Sequence, residues 1–297
     1  MNMKNIIYTV FALSIMGLSA CSQKEDITSP LVGQAINASF SVDGAQTRVN
    51  TLDERADKWE NGDKIKAEVT GGGKTYESVL TATVSENGAV SWSHHKNFVW
   101  RDNGKHTIHI SYPSDYLYNN STERWTLPTE QTSLDGLKSA DFIDGRYEGG
   151  PQGGIISISA KHRLALVTVT YEIGTSDFAE GTTLESPVVK SPYAQFYRSG
   201  DNLIGVSFRD AEVKAYVHEG ENKFSAIIVP GKINVDSEFL SFSVGGKNYG
   251  SKFNTPTTFV SGNCYTYKLK VGKNKVELTQ ITVGDFPGGW TTEEELK

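Results

Sequence analysis

What most constrains this chain is how short its apolar segments are and how regularly they alternate. "KIKAEVT", "KTYESVLTATV", "HTIHISY", "ISISA", "LALVTVTYEI", "AEVKAYV", "KFSAIIV", "EFLSFSV", "YTYKLKV" and "KVELTQITV" are rich in Val, Ile, Thr, Tyr and Phe, and most place an apolar residue at every second position. A period of two sends those residues to one face of a strand and the polar ones to the other. Turn signals separate the segments: Gly71-Gly72-Gly73, Asn87-Gly88, Asn103-Gly104, Gly245-Gly246 and Gly272-Lys273-Asn274. No stretch carries a helical stripe longer than about three turns. "TSLDGLKSADF" (132–142) reads as either a short helix or an irregular crossover. The pattern predicts an all-β chain of antiparallel β-sandwiches.

A chain of 297 residues can hold one large domain or two ordinary ones. The best interior break is "GRYEGGPQGG" (145–154), dense in glycine, with Pro151 and few side chains to bury. It divides the chain into a first domain over 34–150 and a second over 153–290. Residues 22–33 read as a polar linker. The end, "GDFPGGWTTEEELK", is turn-rich and then acidic over 291–297, with Phe286 and Trp290 expected to dock.

The N-terminal stretch has its own logic. Lys4 precedes an apolar run from Ile6 to Ala20, which is too short and wrongly flanked for a membrane-spanning helix and reads as a secretion signal. It ends in Leu18-Ser19-Ala20-Cys21, which resembles a bacterial lipobox. That resemblance makes 1–21 a lipoprotein signal, with Cys21 acylated on sulfur and becoming the mature N-terminus. Acyl chains contribute about 0.8 kcal/mol per buried CH₂, so several together anchor a protein without a spanning helix. Only two cysteines occur. With Cys21 lipidated, Cys264 has no partner, and it is expected as a small buried apolar residue.

Chemistry is thin in this sequence. A formal charge of −6 gives no electrostatic support to nucleic-acid binding. No Cys-x-x-Cys, His-Glu-x-x-His, Gly-x-Ser-x-Gly or Walker loop occurs. His106 and His109 stand at an odd spacing on a strand, hence on opposite faces, and cannot chelate together. Asp141 and Asp144 read as turn-makers beside a linker, and His162 as a core-edge histidine with its hydrogen bond met. The expectation is no enzyme, no cofactor and no metal. Trp92 and Trp100 read as core. Tyr116 and Tyr118, in "SDYLYNNSTE", read as an exposed pair, which leaves a glycan-binding surface module open as an alternative.

One segment raises a question that composition does not answer. In "ASFSVDGAQTRVNTLDERADKWENGDKI", Ala38, Phe40 and Val42 alternate as in a half-buried strand, and Asp43-Gly44 then breaks it. A polar run with Arg48 and Arg55 follows, and regular pattern returns only near Trp59.

Several pieces together resemble the fimbrillin family of Bacteroides-type bacteria, the subunits of their fimbriae. They are Cys21, Thr47-Arg48, the Trp-x-x-Gly-Asp-x-Ile turn at 59–65, "SYPSDY" (111–116) and "LPTEQTSLDGLKSADFI" (127–143). Then come "AKHRLALVTVTYEI" (160–173), read as one strand that opens the second domain, "FSAIIVPGK" (224–232), "FVSGNCYTYKLKV" (259–271) and "VELTQITVGDF" (276–286). Gly231 and Phe286 depart from the family pattern, which has Gln and Trp there. The resemblance implies two tandem transthyretin-like antiparallel β-sandwich domains, and a fimbrial subunit or adhesin of the outer membrane and cell surface. It implies partners: other fimbrial subunits joined by strand addition, the outer membrane through the lipid before processing, and a host glycan or protein receptor. It also implies a sequence of events. A trypsin-like protease cuts at Arg48, or at Arg55 as second choice. The first strand, with Ala38, Phe40 and Val42 facing in, leaves. A C-terminal strand of another subunit fills the groove, and its donor residues here are Val276, Leu278, Ile281, Val283 and Phe286. The shift of alternation after Gln280 predicts a bulge or a sheet switch in that strand.

Overall fold

A computed structural model of the chain describes residues 31–42, 59–119, 121–206 and 210–285. The first run of strands is β1 (Ala38–Val42), β2 (Lys64–Gly71), β3 (Lys74–Val84), β4 (Val90–Trp92) and β5 (His106–Tyr112). It continues with β6 (Tyr118–Asn119), β7 (Arg124–Thr126), the short helix α1 (Leu134–Ala140), β8 (Ile143–Gly149) and β9 (Ile156–His162). The second run opens with β10 (Ala165–Ile173), β11 (Leu184–Ser191), β12 (Gln195–Ser199), β13 (Asn202–Gly205), β14 (Ala211–Lys214) and β15 (Tyr216–Val217). It closes with β16 (Lys223–Ile228), β17 (Gly231–Ile233), β18 (Glu238–Val244), β19 (Lys247–Lys252), β20 (Thr257–Phe259), β21 (Asn263–Val271) and β22 (Val276–Asp285). The protein is nearly all β, as the alternation predicts, and the ambiguous 132–142 segment resolves into α1. Ser133 caps it, its Oγ accepting from the backbone N–H of Gly136 at 3.1 Å. Among the hairpins, β2–β3 turns through Gly72 and Gly73 at φ +59° and +75°, the two positive values that a two-residue turn of matching twist requires.

Seven strands form the first sheet, in the order β1-β9-β8-β5-β2-β3-β4. Its inner face carries the alternating residues Ile65, Ala67, Val69, Ile108 and Ile110, all buried. The sheet is rolled, so that its two ends meet. Phe40 on β1 stands edge-to-face against Trp92 on β4, with ring centroids 5.1 Å apart. The second core is layered from a five-stranded sheet, β15-β16-β10-β21-β22, and a four-stranded one, β14-β11-β18-β19. Among the described strands, pairing is antiparallel except in two places: β1 lies parallel to β9, and β10 parallel to β21.

The two cores are interleaved in sequence. The glycine-dense stretch 145–154, expected as the interior break, instead runs through β8 and towards β9, which are neighbours in the first sheet. Gly145 is there for close approach: a Cβ would stand 2.7 Å from the Ser159 carbonyl oxygen. Ile156, Ile158 and Ala160 belong to the first core, and Leu164 and Ala165 to the second. "AKHRLALVTVTYEI" is therefore two strands, ending one sheet and starting another, with the crossing at Arg163. In the other direction, the excursion between β5 and β8 packs on the second core through Tyr116, Leu127, Leu137, Ala140 and Phe142. Tyr116, expected to be exposed, is buried, and its hydroxyl donates to the Ala140 carbonyl at 3.1 Å. Tyr118 is 40% exposed, as expected.

Candidate functional site: the first strand and its seat

β1 is an end strand of the rolled sheet. Its ladder runs along β9 alone, from Ala38 opposite Ile156 to Val42 opposite Ala160. Five residues of parallel ladder hold a strand weakly, so its side chains carry most of the attachment. Phe40 is 6% exposed and Val42 3%; Ala38 is only half-buried. Phe40 inserts between Trp92 and Phe98, 5.1 and 6.4 Å away. Just upstream, the chain crosses to a different neighbour. Gly33 N–H donates to Trp100 O and Ile36 N–H to Phe98 O, and Ile36 is buried as well.

Trp59 closes this seat. Its indole Nε1 donates to the carbonyl oxygen of Phe40 at 3.0 Å, and its ring lies 5.0 Å from Trp92 and 5.6 Å from Tyr112. The turn that follows explains its own signature. Glu60 N–H donates to Asp63 Oδ2 at 2.8 Å, Gly62 adopts φ +95°, and Tyr112 Oη donates to Asp63 Oδ1 at 3.3 Å. Ile65 then enters the core. The sequence marks Trp59 as the place where pattern resumes and as the first residue of the Trp-x-x-Gly-Asp-x-Ile turn; nothing in the periodicity marks it as the residue that binds β1.

Residues 43–58, with Arg48 and Arg55, lie outside the described residues, as do Cys21, Phe286, Trp290 and the acidic end. Val42 and Trp59, the described residues on either side of 43–58, are buried in the same core.

β22 is the end strand of the five-stranded sheet. It runs antiparallel to β21 from Val276 opposite Val271 to Asp285 opposite Asn263. The register steps from Thr282 to Gln280 between Thr266 and Tyr267, skipping Ile281, which is the bulge that the break in alternation predicts. Val276 and Leu278 pack half-buried against the second core, and Val283 is 41% exposed.

Some buried ionisable groups lie at the joint between the cores; His106 instead serves the first, its Nε2 accepting from the Arg101 N–H at 2.9 Å. His106 is buried and His109 half-buried on the opposite face of β5. His162, buried at the end of β9, places Nδ1 3.0 Å from the buried Asp141. Asp144 is also buried and ion-pairs with Arg163 and Arg198, the latter at 3.0 Å, so within β8 it is no turn residue, while Asp141 ends α1 as its C-cap, its backbone N–H donating to the Lys138 carbonyl at 3.2 Å. Burial pushes the Cys264 thiol up to about 11, which makes it a poor nucleophile. Among the described residues, no three His, Cys, Asp or Glu side chains gather as a metal site would need. No described helix is long and apolar enough to cross a membrane.

Comparison with known proteins adds what geometry alone does not. A family model described as fimbrillin-like matches residues 47–285. No curated protein matches the sequence. Among solved structures, a proposed cell adhesion protein from Bacteroides ovatus superposes with a TM-score of 0.61 at 14% identity, covering 89% of this chain and 100% of that one. Another, from Bacteroides uniformis, gives 0.58 at 17% identity over 77% and 93% of the two chains. The C-terminally truncated tip fimbrial protein Mfa3 from Porphyromonas gingivalis gives 0.50 at 10% identity over 83% and 98%.

Proposed function

We propose that this chain, which belongs to the fimbrillin-like family, is a fimbrial subunit that assembles by giving up its first strand. The family is one of structural proteins of a cell-surface appendage, not of enzymes. On our reading the chain is exported to the outer membrane as a lipoprotein through Cys21. Cleavage at Arg48, or at Arg55, then frees β1 from the loop that tethers it. Its departure uncovers the β9 edge and the aromatic seat of Phe40. Unpaired backbone and apolar surface of that kind are unfavourable until another strand fills them. The filler is the C-terminal strand of a second subunit, with Val276, Leu278, Ile281, Val283 and Phe286 as its donor residues. Backbone bonds supply affinity and alternate side chains set register.

The observation that carries this reading is the way β1 is held: a short ladder and deep side chains, with Val42 and Trp59, on either side of residues 43–58, buried in the same core. Such a strand is a plug. A second reading has one observation behind it. β22 is already paired along its own sheet, which suits a monomeric glycan- or protein-binding surface lipoprotein that keeps all its strands.

Limited trypsin digestion of the mature protein, read by mass spectrometry and electron microscopy, separates the two. An early single cut after Arg48, loss of the 22–48 fragment and growth of oligomers are expected. A protein cut there that retains its first strand and stays monomeric would overturn strand exchange and leave the second reading.

A further inference from the structure

The small sheet β13-β12-β7-β6 touches both cores, and it is held to each by a different force. Phe196 of β12, Trp125 opposite it on β7 and Leu203 of β13 pack on the second core. Towards the first sheet the contacts are polar. Arg198 lies two residues beyond Phe196, on the same face of β12. It leaves the small sheet and reaches two strands of the first. Its Nε ion-pairs with Asp144 Oδ2 on β8 at 3.0 Å, and its Nη1 donates to His109 Nδ1 on β5 at 3.0 Å. The guanidinium carbon stands 5.4 Å from the Trp125 ring centre, so the group is placed by a ring as well as by a carboxylate. The turn after β12 adds one more bond, the Asp201 carbonyl accepting from Arg163 at 2.9 Å.

The bond to His109 has a protonation requirement. A guanidinium offers only donors and stays charged, so Nδ1 has to supply a lone pair. The imidazole is then neutral, with its one proton on Nε2. A proton on Nδ1 would remove the acceptor and set a second cation against Arg198. Other charges face the ring from the neighbouring strands. Arg146, opposite it on β8, also resists a positive charge there, while Glu68, opposite it on β2, and Asp144 on β8 favour one. Both carboxylates are already engaged: Asp144 by Arg163 and Arg198, and Glu68 by Lys66 at 3.1 Å. Burial first, and then Arg198 and Arg146, hold the His109 pKa below its ordinary 6.5.

We propose that this contact is a proton-operated latch: the small sheet is braced on the first sheet while His109 is neutral, and loosens from it when the ring takes up a proton. The folded state favours the neutral ring, so the brace is complete above 6.5 and weakens as the pH falls below it. Only the polar side lets go, because burial of Phe196 and Trp125 in the second core does not involve a titrating group. None of these residues belongs to β1 or β22, so the latch does not rest on strand exchange.

The test is hydrogen-exchange mass spectrometry on the full mature chain at about pH 7.5 and about pH 5, with rates corrected for the intrinsic effect of pH. Protection of β7 and β12 should fall by about tenfold between the two, while the β2–β3 hairpin changes little. H109Q keeps an oxygen that accepts from Arg198 but cannot titrate, and should hold the higher protection at both pH values. H218Q, in the second core, should leave the response in place. The imidazole NMR titration of the wild-type chain, assigned through the backbone, is the second measurement, and the His109 midpoint should lie below the ordinary value. Equal protection of β7 and β12 at both pH values in the wild type overturns the proposal. So does a response that survives H109Q or vanishes in H218Q, or a His109 midpoint at or above the ordinary value.

Discussion

β1 and β22 are both end strands, one near each end of the described chain, and they are held in opposite ways. β1 has five residues of parallel ladder and plants Phe40 and Val42 deep in the first core. β22 has a longer antiparallel ladder and leaves Leu278 half-buried and Val283 exposed. Burying one large apolar side chain is worth about 1.5–3 kcal/mol, whereas a ladder bond nets about 1 kcal/mol after its exchange with water. A plug of the first kind leaves a deep, specific groove behind it. A strand of the second kind holds its register through backbone bonds, and its side chains are less committed to the core beneath. The strand exchange proposed above asks for such an asymmetry, an acceptor at one end of a chain and a donor at the other.

Substitutions can break or sharpen this contrast. The largest effect is expected at Phe40: F40A should cost about 3–5 kcal/mol in urea unfolding of the uncleaved chain. If it costs no more than L278A, the two strands are not held differently. W59F removes the indole bond to the Phe40 carbonyl and should cost about 1–2 kcal/mol, with faster loss of β1 after cleavage by trypsin. L278A, half-buried, should cost about 1–1.5 kcal/mol. V283D should change stability by about 0.5 kcal/mol or less yet stop assembly; a monomer that unfolds instead would show that β22 is structural and not a donor.

Acid acts on the second core through a buried histidine. His218 is buried in the second, with Nε2 3.0 Å from Ser225 Oγ. Burial, and then Lys223, lower its pKa from 6.5 to about 4. Between those values the unfolded chain takes up a proton that the folded chain refuses. The stability His218 allows is therefore complete above its unfolded value and falls as pH drops towards 4. Fluorescence-monitored unfolding across that window should show the loss, and H218Q should flatten it.

Where the pattern was strong the elements came out as expected: β3, β5, β10, β16 and β18 lie within segments marked by alternation or β-branched runs, and β2 and β21 overrun theirs by one and two residues. Others hid for physical reasons. β8, "IDGRYEG", looks like a linker although its Gly145 is there for close approach to β9, not for flexibility. β11 contains Pro187, which a central strand should not hold; a register shift between Glu185 and Val188, with Ser186 at φ +50°, accommodates it. β19, "KNYGSK", is an end strand whose Lys247, Asn248 and Lys252 face water while Ser251 is buried.

By itself, then, the sequence determined the class of structure, the hairpins at paired glycines, the Trp-x-x-Gly-Asp-x-Ile turn, the inward set Phe40 and Val42, and the bulge in β22. Each of these is written in residues close together in the chain. Only the tertiary structure decided that β1 lies parallel to β9, that Trp59 ties it down, that the 113–142 excursion serves the other core, and that Arg198 meets His109. Those depend on residues far apart in sequence meeting across a rolled sheet, and no local period encodes such a meeting.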